Sequence, residues 1–216
     1  MNKKLLLLCG MLLTTLAPFG IAQAQEESIN TTDFGVEVGL GSDYFFRGVS
    51  QMGDGAHWNI GAKGEWNGFY GGAWIGNVDF GDEASYEYDL FAGYNMQVTD
   101  MFSVDLGVIQ YRYDEGYDMV EEVYAGMSYD MFSARVYQNT DTNDTYAEAM
   151  LDVSRFIPVF DLSLHYGYAD SDDDFSALNL GYSVTDKLDA YVTIMLETVM
   201  DGQTMDSVSA GFNYRF

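Results

Sequence analysis

Acidic side chains recur on the polar side of segments in which polar and apolar residues alternate. Carboxylates that surround a water-filled space raise the local concentration of cations and repel anions. The whole chain is acidic, with 34 Asp and Glu against 9 Lys and Arg and a net charge of −25 at pH 7. The pattern therefore predicts an interior that favours cations. The charge excludes ordinary nucleic-acid binding, which needs a basic surface.

The alternation assigns both acids and bases to this predicted interior. The main candidates to line a pore are Asp43, Arg47, Lys63, Glu87, Asp89, Asp105, Glu122, Arg135, Glu148 and Asp152. The same side of the pattern carries Glu37, Glu65, Asp161, Asp189, Glu197 and Arg215. Two interpretations remain open, a water-filled pore or a closed interior in which the bases pair with neighbouring acids. Pairing cannot occupy all the acids, because they far outnumber the bases, and the open pore is the preferred interpretation.

Catalytic and metal-binding arrangements have weak support. The chain has 2 histidines, His57 and His165, and both fall on the polar side of their segments. A Ser–His–acid set that acts on lipid should lie on the lipid-facing side, so the sequence predicts no enzymatic activity and no cofactor. The acidic runs at 170–174 and 201–206 lack the spacing of an EF-hand loop. They are interpreted as solvated loops that Mg²⁺ or Ca²⁺ would bridge to anionic lipopolysaccharide.

The N-terminus has the features of an export signal. Lys3 and Lys4 precede an apolar run over 5–16, and Ala22-Gln23-Ala24 forms a small-residue cleavage site. Residues 1–24 are therefore predicted to be a cleaved signal peptide, and 25–33 a short periplasmic segment. The only cysteine, Cys9, lies inside the signal, so the exported chain has no disulfide. No later apolar run reaches the roughly 18 residues that a spanning helix needs.

Residues 34–216 show the two-residue period of β-strands, with Gly, Asn and Asp at the breaks. In the last segment, Val208, Ala210, Phe212, Tyr214 and Phe216 share one face. About twelve such segments of membrane-crossing length predict an all-β, antiparallel, up-and-down transmembrane barrel. They cover 34–47, 56–66, 69–78, 85–98, 101–113, 119–129, 131–138, 145–155, 159–169, 175–185, 188–198 and 206–216. Tight turns alternate with longer acidic connections, which predicts short periplasmic turns and long outer loops. The turn at Ile157-Pro158 is counted among the tight ones.

Aromatic spacing favours an apolar face that meets lipid. Trp58 and Trp66 share a face and are about 27 Å apart along a strand, close to the separation of two aromatic girdles after tilt. The girdle candidates are Tyr44, Phe46, Trp58, Trp66, Tyr166 and Phe216. The strand at 69–78 has no predicted orientation, because Trp74 and Ile75 compete for one face. The alternative is an exported soluble β-protein with tryptophans in its core.

Three blocks carry a family resemblance: SDYFFRGVSQ at 42–51, GFYGGAWIGNVDF at 68–80 and YEYDLFAGY at 86–94. They resemble the TorF family of proteobacteria, whose members are proposed porins long grouped as a conserved family of unknown function. The likeness is strong over about residues 33–98 and weaker beyond. It implies an outer-membrane β-barrel of a Gram-negative cell with a porin role. It supplies no established catalytic or ligand residues.

The first block admits two roles for its arginine. Arg47 either forms the positive side of a constriction that faces Glu87, Asp89 and Glu122, or locks the rim of the first hairpin by pairing with Asp43 or an acid on the next strand. The rim role is slightly preferred, since a motif that spans a strand end and a turn is typical of structural roles. Gly48 permits the turn.

The predicted function is passive passage of ions or small neutral solutes through a porin that favours cations. The alternative is a closed structural or interaction barrel with acidic loops bridged by divalent ions. Expected partners are outer-membrane lipid, lipopolysaccharide and the barrel-assembly machinery, the last through the strand that ends at Phe216. The solute and the oligomeric state stay open.

Overall fold

The computed structural model describes residues 32–53, 55–170, 173–200 and 203–216. The predicted signal peptide and nearly all of the predicted periplasmic segment lie outside the described residues. Parts of the two acidic runs, at 171–172 and 201–202, also lie outside them.

Twelve long strands form one closed antiparallel barrel, which confirms the predicted fold class. Two further strands of two residues each, β2 and β3, pair only with each other. In chain order the strands are β1 (Thr32–Gly41), β2 (Phe45–Phe46), β3 (Val49–Ser50), β4 (His57–Trp66), β5 (Phe69–Asn77), β6 (Tyr86–Thr99), β7 (Phe102–Tyr113), β8 (Val120–Tyr129), β9 (Phe132–Asn139), β10 (Thr145–Asp152), β11 (Asp161–Ala169), β12 (Asp174–Thr185), β13 (Leu188–Met200) and β14 (Gln203–Arg215). Among the described residues, no helix is long and apolar enough to span a membrane.

The tight turns follow from residues that tolerate a left-handed backbone. Asn67 and Gly68 both have positive φ, 50° and 82°, and they join β4 to β5. Asp130 has a φ of 53° and joins β8 to β9. Such a backbone suits the twist of a two-residue hairpin turn. These turns lie at one end of the barrel, which we call the short-turn end.

One connection at the short-turn end is longer than predicted. β10 stops at Asp152 and β11 starts at Asp161, so 153–160 forms a loop that includes a 3₁₀ turn, Ser154–Phe156. Pro158 lacks a backbone N–H and restricts Ile157 before it, and both residues belong to this loop. The Asp152 carboxylate accepts a hydrogen bond from the Ser154 backbone N–H at 2.8 Å and holds the turn.

The structure also sets the two strand orientations that the sequence left open or misplaced. Trp74 is buried and points into the barrel, whereas Ile75 lies opposite Ile60 and Tyr88 on the outer side. The predicted interior position of Glu197 is wrong. A bulge between Met195 and Thr198 shifts the register, so Thr198 is buried inside and Glu197 is exposed.

The barrel closes where β1 pairs with β14, with Glu37 opposite Arg215 and Gly41 opposite Gly211. The Tyr191 side chain from β13 covers both glycines. A Cβ at Gly41 would lie 2.6 Å from the Tyr191 hydroxyl, and one at Gly211 would meet that hydroxyl and the Leu40 carbonyl oxygen. The seam therefore depends on two positions without side chains.

We expect Gly211→Ala to weaken barrel closure by about 1–3 kcal/mol, because the added methyl overpacks the seam. The readout is the temperature at which the folded band is lost in a heat-modifiability gel. Gly64→Ala is the matched control, since a Cβ there meets its nearest atom at 3.7 Å. Equal melting of the two variants would contradict this account of the seam.

Candidate functional site

The first part of the first long connection, residues 42–52, folds into the barrel instead of extending from its rim. Tyr44 and Phe46 are only 1% and 2% exposed, and Phe45 between them is also buried. The expectation that Tyr44 and Phe46 lie in a lipid-facing girdle is therefore wrong. The strand ends at Gly41, and the Asp43 carboxylate then accepts hydrogen bonds from the Tyr44 backbone N–H at 2.7 Å and the Ser50 hydroxyl at 2.8 Å. These bonds turn the chain inward. We call residues 42–52 the inward loop.

Hydrogen bonds from the barrel wall hold the inward loop on two sides. The Ser209 hydroxyl of β14 donates to the Asp43 carbonyl oxygen at 2.8 Å, and the Thr198 hydroxyl of β13 donates to the Gly48 carbonyl oxygen at 3.3 Å. Beyond β5, the Asp79 backbone N–H donates to the Gln51 carbonyl oxygen at 2.7 Å. The loop is thus part of the packed interior.

The tip of the inward loop needs a left-handed backbone at two residues. Arg47 and Gly48 have φ values of 44° and 84°. A side chain at Gly48 would also collide with Phe175 of β12, since its Cβ would lie 2.6 Å from the Phe175 Cβ. Glycine is therefore required both by conformation and by space.

Arg47 connects the inward loop to the far wall through a buried ion pair. Its two terminal nitrogens donate to the Glu122 carboxylate of β8 at 3.1 Å and 2.7 Å. The guanidinium also lies 3.9 Å from the centre of the Tyr146 ring of β10. The preferred interpretation, in which Arg47 locks the rim of the first hairpin, is wrong. The partner lies 75 residues away in the chain, as the constriction interpretation allowed.

A second polar network lines the wall from β5 to β11. Arg135 donates to Asp105 at 2.8 Å, and the Tyr70 hydroxyl donates to the other oxygen of Asp105 at 2.7 Å. Glu148 accepts hydrogen bonds from the Tyr137 and Tyr146 hydroxyls at 3.1 Å and 3.2 Å. The structure brings these predicted interior residues together, and the base Arg135 forms an ion pair with Asp105. That they line a conduction path stays a prediction.

The remaining interior candidates lie at three levels of the barrel. Glu87 and Asp89 are buried in the wall beside the inward loop. Lys63 pairs with Glu65 nearer the short-turn end. Asp152 is partly exposed at the end of β10.

The interior changes from accessible to filled along its length. At the short-turn end Asp161 is exposed, and the Arg215–Asp189 pair is partly exposed with a contact of 2.7 Å. Around the inward loop the interior side chains are buried, and a cavity of about 20 Å³ beside Arg47 and Phe175 has roughly room for one water molecule. The short-turn end is therefore an accessible mouth, and the interior around the inward loop is filled by side chains.

The other girdle candidates lie on the outer surface. Trp66, Tyr166 and Phe216 are exposed, and Trp58 is half-buried against Tyr86, with ring centres 6.1 Å apart. Their outward direction agrees with the alternation. Their contact with a lipid interface stays a prediction.

The histidines take part in packing and hydrogen bonding. His57 Nδ1 lies 3.1 Å from the Asn77 carbonyl oxygen, and Nε2 lies 3.2 Å from the Asn59 side-chain nitrogen. His165 Nε2 lies 3.3 Å from Glu148. Within the described residues, no group of three or more His, Cys, Asp or Glu side chains is arranged to hold a metal ion.

The inward loop is the functional feature that the sequence analysis missed. Its signal was present in the run Tyr44-Phe45-Phe46, where three aromatic residues in succession break the two-residue period. A strand with one lipid-facing side cannot place all three on that side. Such a run indicates a segment that is covered all round.

Three solved structures with a similar barrel carry the name porin. A KdgM porin matches with a TM-score of 0.62 at 14% identity, over 84% of this chain and 99% of that one. A KdgM porin in complex with disordered oligogalacturonate has a TM-score of 0.60 at 12% identity, over 86% and 99% of the two chains. A NanC porin has a TM-score of 0.56 at 13% identity, over 84% and 99%. At these identities the likeness shows a common fold.

No curated protein sequence matches the chain. The model of the Gcw_chp family, described as a bacterial protein of unknown function, matches residues 24–213. Because that match covers most of the sequence, the chain belongs to the Gcw_chp family.

Proposed function

We propose that the protein is an outer-membrane porin of a Gram-negative cell, through which small ions pass passively and cations pass more readily than anions. The observation that carries this proposal is a closed barrel with excess carboxylates inside and an apolar surface outside. The blocks at 42–51, 68–80 and 86–94 further support membership of the TorF family of proposed porins.

The outer surface of the barrel supports a lipid environment. Large apolar side chains from many strands are exposed there, and a surface of this kind needs lipid or another apolar partner to cover it. Examples are Phe34, Leu40, Leu90, Leu106, Val123, Val136, Leu164, Val208 and Phe212. Phe216, exposed at the end of the chain, stays the predicted contact of the barrel-assembly machinery.

The charges of the interior support a preference for cations. Arg47, Arg135 and Arg215 each pair with one carboxylate, and further acids such as Glu87 and Asp89 have no basic partner among the described residues. Fixed negative charge in a low-dielectric tube attracts cations. One KdgM structure holds oligogalacturonate, a polyanion, and an acidic interior would repel such a solute. We therefore propose a different class of solute for this chain.

The inward loop supports a small solute. Twelve strands enclose a tube about 25 Å across between backbones, which leaves space that wall side chains alone do not fill. Here the loop occupies that space with Tyr44, Phe45 and Phe46. Passage past the loop is therefore restricted to ions and very small molecules.

The same loop favours a second candidate function, a closed structural or interaction barrel. Its hydrogen bonds to β13 and β14 and the buried Arg47–Glu122 pair would hold a plug in place. In that case the acidic loops at the end opposite the short turns would be the functional part, and divalent ions would bridge them to lipopolysaccharide or to a surface partner. Single-channel recording separates the two candidates.

We expect wild-type protein in a planar bilayer to give stable conductance steps and a cation-selective reversal potential under a KCl gradient. Asp161→Lys should lower the cation-to-anion permeability ratio severalfold, because it reverses an exposed charge at the accessible mouth. Asp100→Lys, in a tight turn outside the interior, makes the same charge change and is the control.

Each outcome of the recording has a separate meaning. If Asp161→Lys gives conductance steps with unchanged selectivity, Asp161 does not face the conduction path, and the porin proposal still holds. Folded, heat-modifiable protein that gives no steps would overturn the porin proposal in favour of the closed barrel.

We expect Arg47→Met to destabilise the folded barrel by about 3–5 kcal/mol, since Glu122 would stay buried without its base. Adding Glu122→Gln should recover most of that loss, because it removes the unpaired charge and keeps an acceptor for the Tyr111 hydroxyl. Heat-modifiability midpoints measure both effects.

The exposed ion pair between Arg155, in the 3₁₀ turn after β10, and Asp130, in the turn after β8, provides the control. Arg155→Met should cost no more than about 1 kcal/mol, as expected for a solvent-exposed ion pair. If Arg47→Met melts like Arg155→Met, the Arg47 pair does not anchor the inward loop.

A further inference from the structure

Two carboxylates of β6 are buried side by side against the inward loop. Glu87 and Asp89 are two residues apart in a strand, so both point inward, and they are 2% and 1% exposed. The Tyr113 hydroxyl donates to one oxygen of Glu87 at 3.1 Å. Neither oxygen of Asp89 accepts a hydrogen bond from any described residue. A charged group in this state is costly to bury.

Basic side chains of the described interior are engaged elsewhere. Arg47 pairs with Glu122, Arg135 with Asp105, and Arg215 with Asp189. Lys63 pairs with Glu65 near the short-turn end. No ion pair of the described residues therefore includes Glu87 or Asp89.

The nearby histidine does not supply the missing charge. His57 Nδ1 faces the Asn77 carbonyl oxygen, so this nitrogen carries a proton and donates it. Nε2 faces the Asn59 side-chain nitrogen, from which it accepts a hydrogen bond. These two partners specify a neutral ring. The ring stacks on Tyr44, with centres 4.7 Å apart.

A second group points to a ligand at the same place. The Tyr44 hydroxyl belongs to the inward loop, is buried, and has no hydrogen-bond partner among the described residues. The Tyr44 ring lies 5.6 Å from the Trp74 ring, centre to centre. Because Trp74 pairs with Asp89 in the strand register, Tyr44 packs next to the strand that carries the two acids. Trp74, directly opposite Asp89 in the register, has an indole N–H that is likewise buried without a partner.

We propose that Glu87, Asp89 and the Tyr44 hydroxyl bind one divalent cation of the calcium type. One such ion neutralises both carboxylates, and Ca²⁺ accepts oxygen ligands in flexible geometry. The Trp74 N–H cannot bind a cation, but it can donate to a carboxylate oxygen of the filled site. The site is separate from the acidic loops at 170–174 and 201–206.

The cation would also tie the inward loop to the wall. Tyr44 belongs to the loop and the two acids belong to β6, so a shared ion adds a link between them. This link lies on a different wall from the Arg47–Glu122 pair, which reaches β8. The inference does not depend on whether the barrel conducts.

The first test measures how Ca²⁺ shifts the heat-modifiability midpoint of the full-length folded protein in detergent. Millimolar Ca²⁺ should raise the wild-type midpoint by several degrees, because the ion binds only the folded site. Asp89→Asn and Glu87→Gln should each lose most of that shift. Without Ca²⁺, Asp89→Asn should melt at or above the wild-type midpoint, because it removes an uncompensated buried charge. Asp161→Asn, which removes an exposed acid, should keep the full shift.

The second test uses Tb³⁺ as a luminescent substitute for Ca²⁺, with excitation of tryptophan. Trp74 lies beside the site, so wild-type protein should sensitise Tb³⁺ emission, and Ca²⁺ should quench it by displacement. Trp74→Phe should lose most of the emission and keep the Ca²⁺ shift in the midpoint. Trp58→Phe, on the outer side, should keep both.

Two results would overturn the proposal: an equal Ca²⁺ shift in wild type and Asp89→Asn, or Tb³⁺ emission that survives Trp74→Phe unchanged. Either would assign the bound ion to the acidic loops. Conductance without Ca²⁺ binding would refute this site and leave the porin proposal standing. Ca²⁺ binding without conductance would support this site and refute the porin proposal.

Discussion

The pairing of β1 with β14 is the interaction on which the rest of the structure depends. It gives each of the twelve barrel strands two neighbours, so the barrel has no open edge with a row of unpaired backbone N–H and C=O groups. In hydrocarbon this closure is the condition for strands to span at all, because an unpaired backbone group costs several kcal/mol there. Closure also divides the side chains into an inner and an outer set. The two-residue period then indicates, along each regular strand, which side chains point into the interior.

The ion pairs of the few basic residues determine how the side chains of the interior are arranged. Arg47 and Arg135 each hold an acid on a different strand, and both lie over tyrosine rings that shield the charges from water. A buried ion pair of this kind adds little net stability, but removing one partner is costly. The main effect of the Arg47 pair is to fix the position of the inward loop, because other arrangements of the loop would leave a buried charge unpaired. In the proposed porin, the acids left without a base would be the groups that attract cations.

Much of the fold could be predicted from the sequence, because the alternation of polar and apolar residues is a local pattern. The strand count, the tight turns at Asn67-Gly68 and Asp130, and the inward direction of Glu87, Asp105 and Glu122 all follow from a two-residue period. The path of residues 42–52 could not be predicted from that period. It depends on contacts far apart in the chain, such as Arg47 with Glu122 and Gly48 with Phe175. The prediction for Glu197 was wrong for a related reason. A single bulge reverses the direction of the side chains that follow it in the strand.

The width of the barrel explains why a loop and not the wall fills its centre. Eight strands make a tube that side chains just fill, whereas twelve leave a gap that needs extra atoms or water. The inward loop supplies those atoms from one connection, with Tyr44, Phe45 and Phe46 as its packing residues. The packing of the barrel centre is therefore determined by a few loop residues and their partners on the wall. This packing and the charge of the centre can change by substitution in 42–52 while the strand pairing that closes the barrel stays the same.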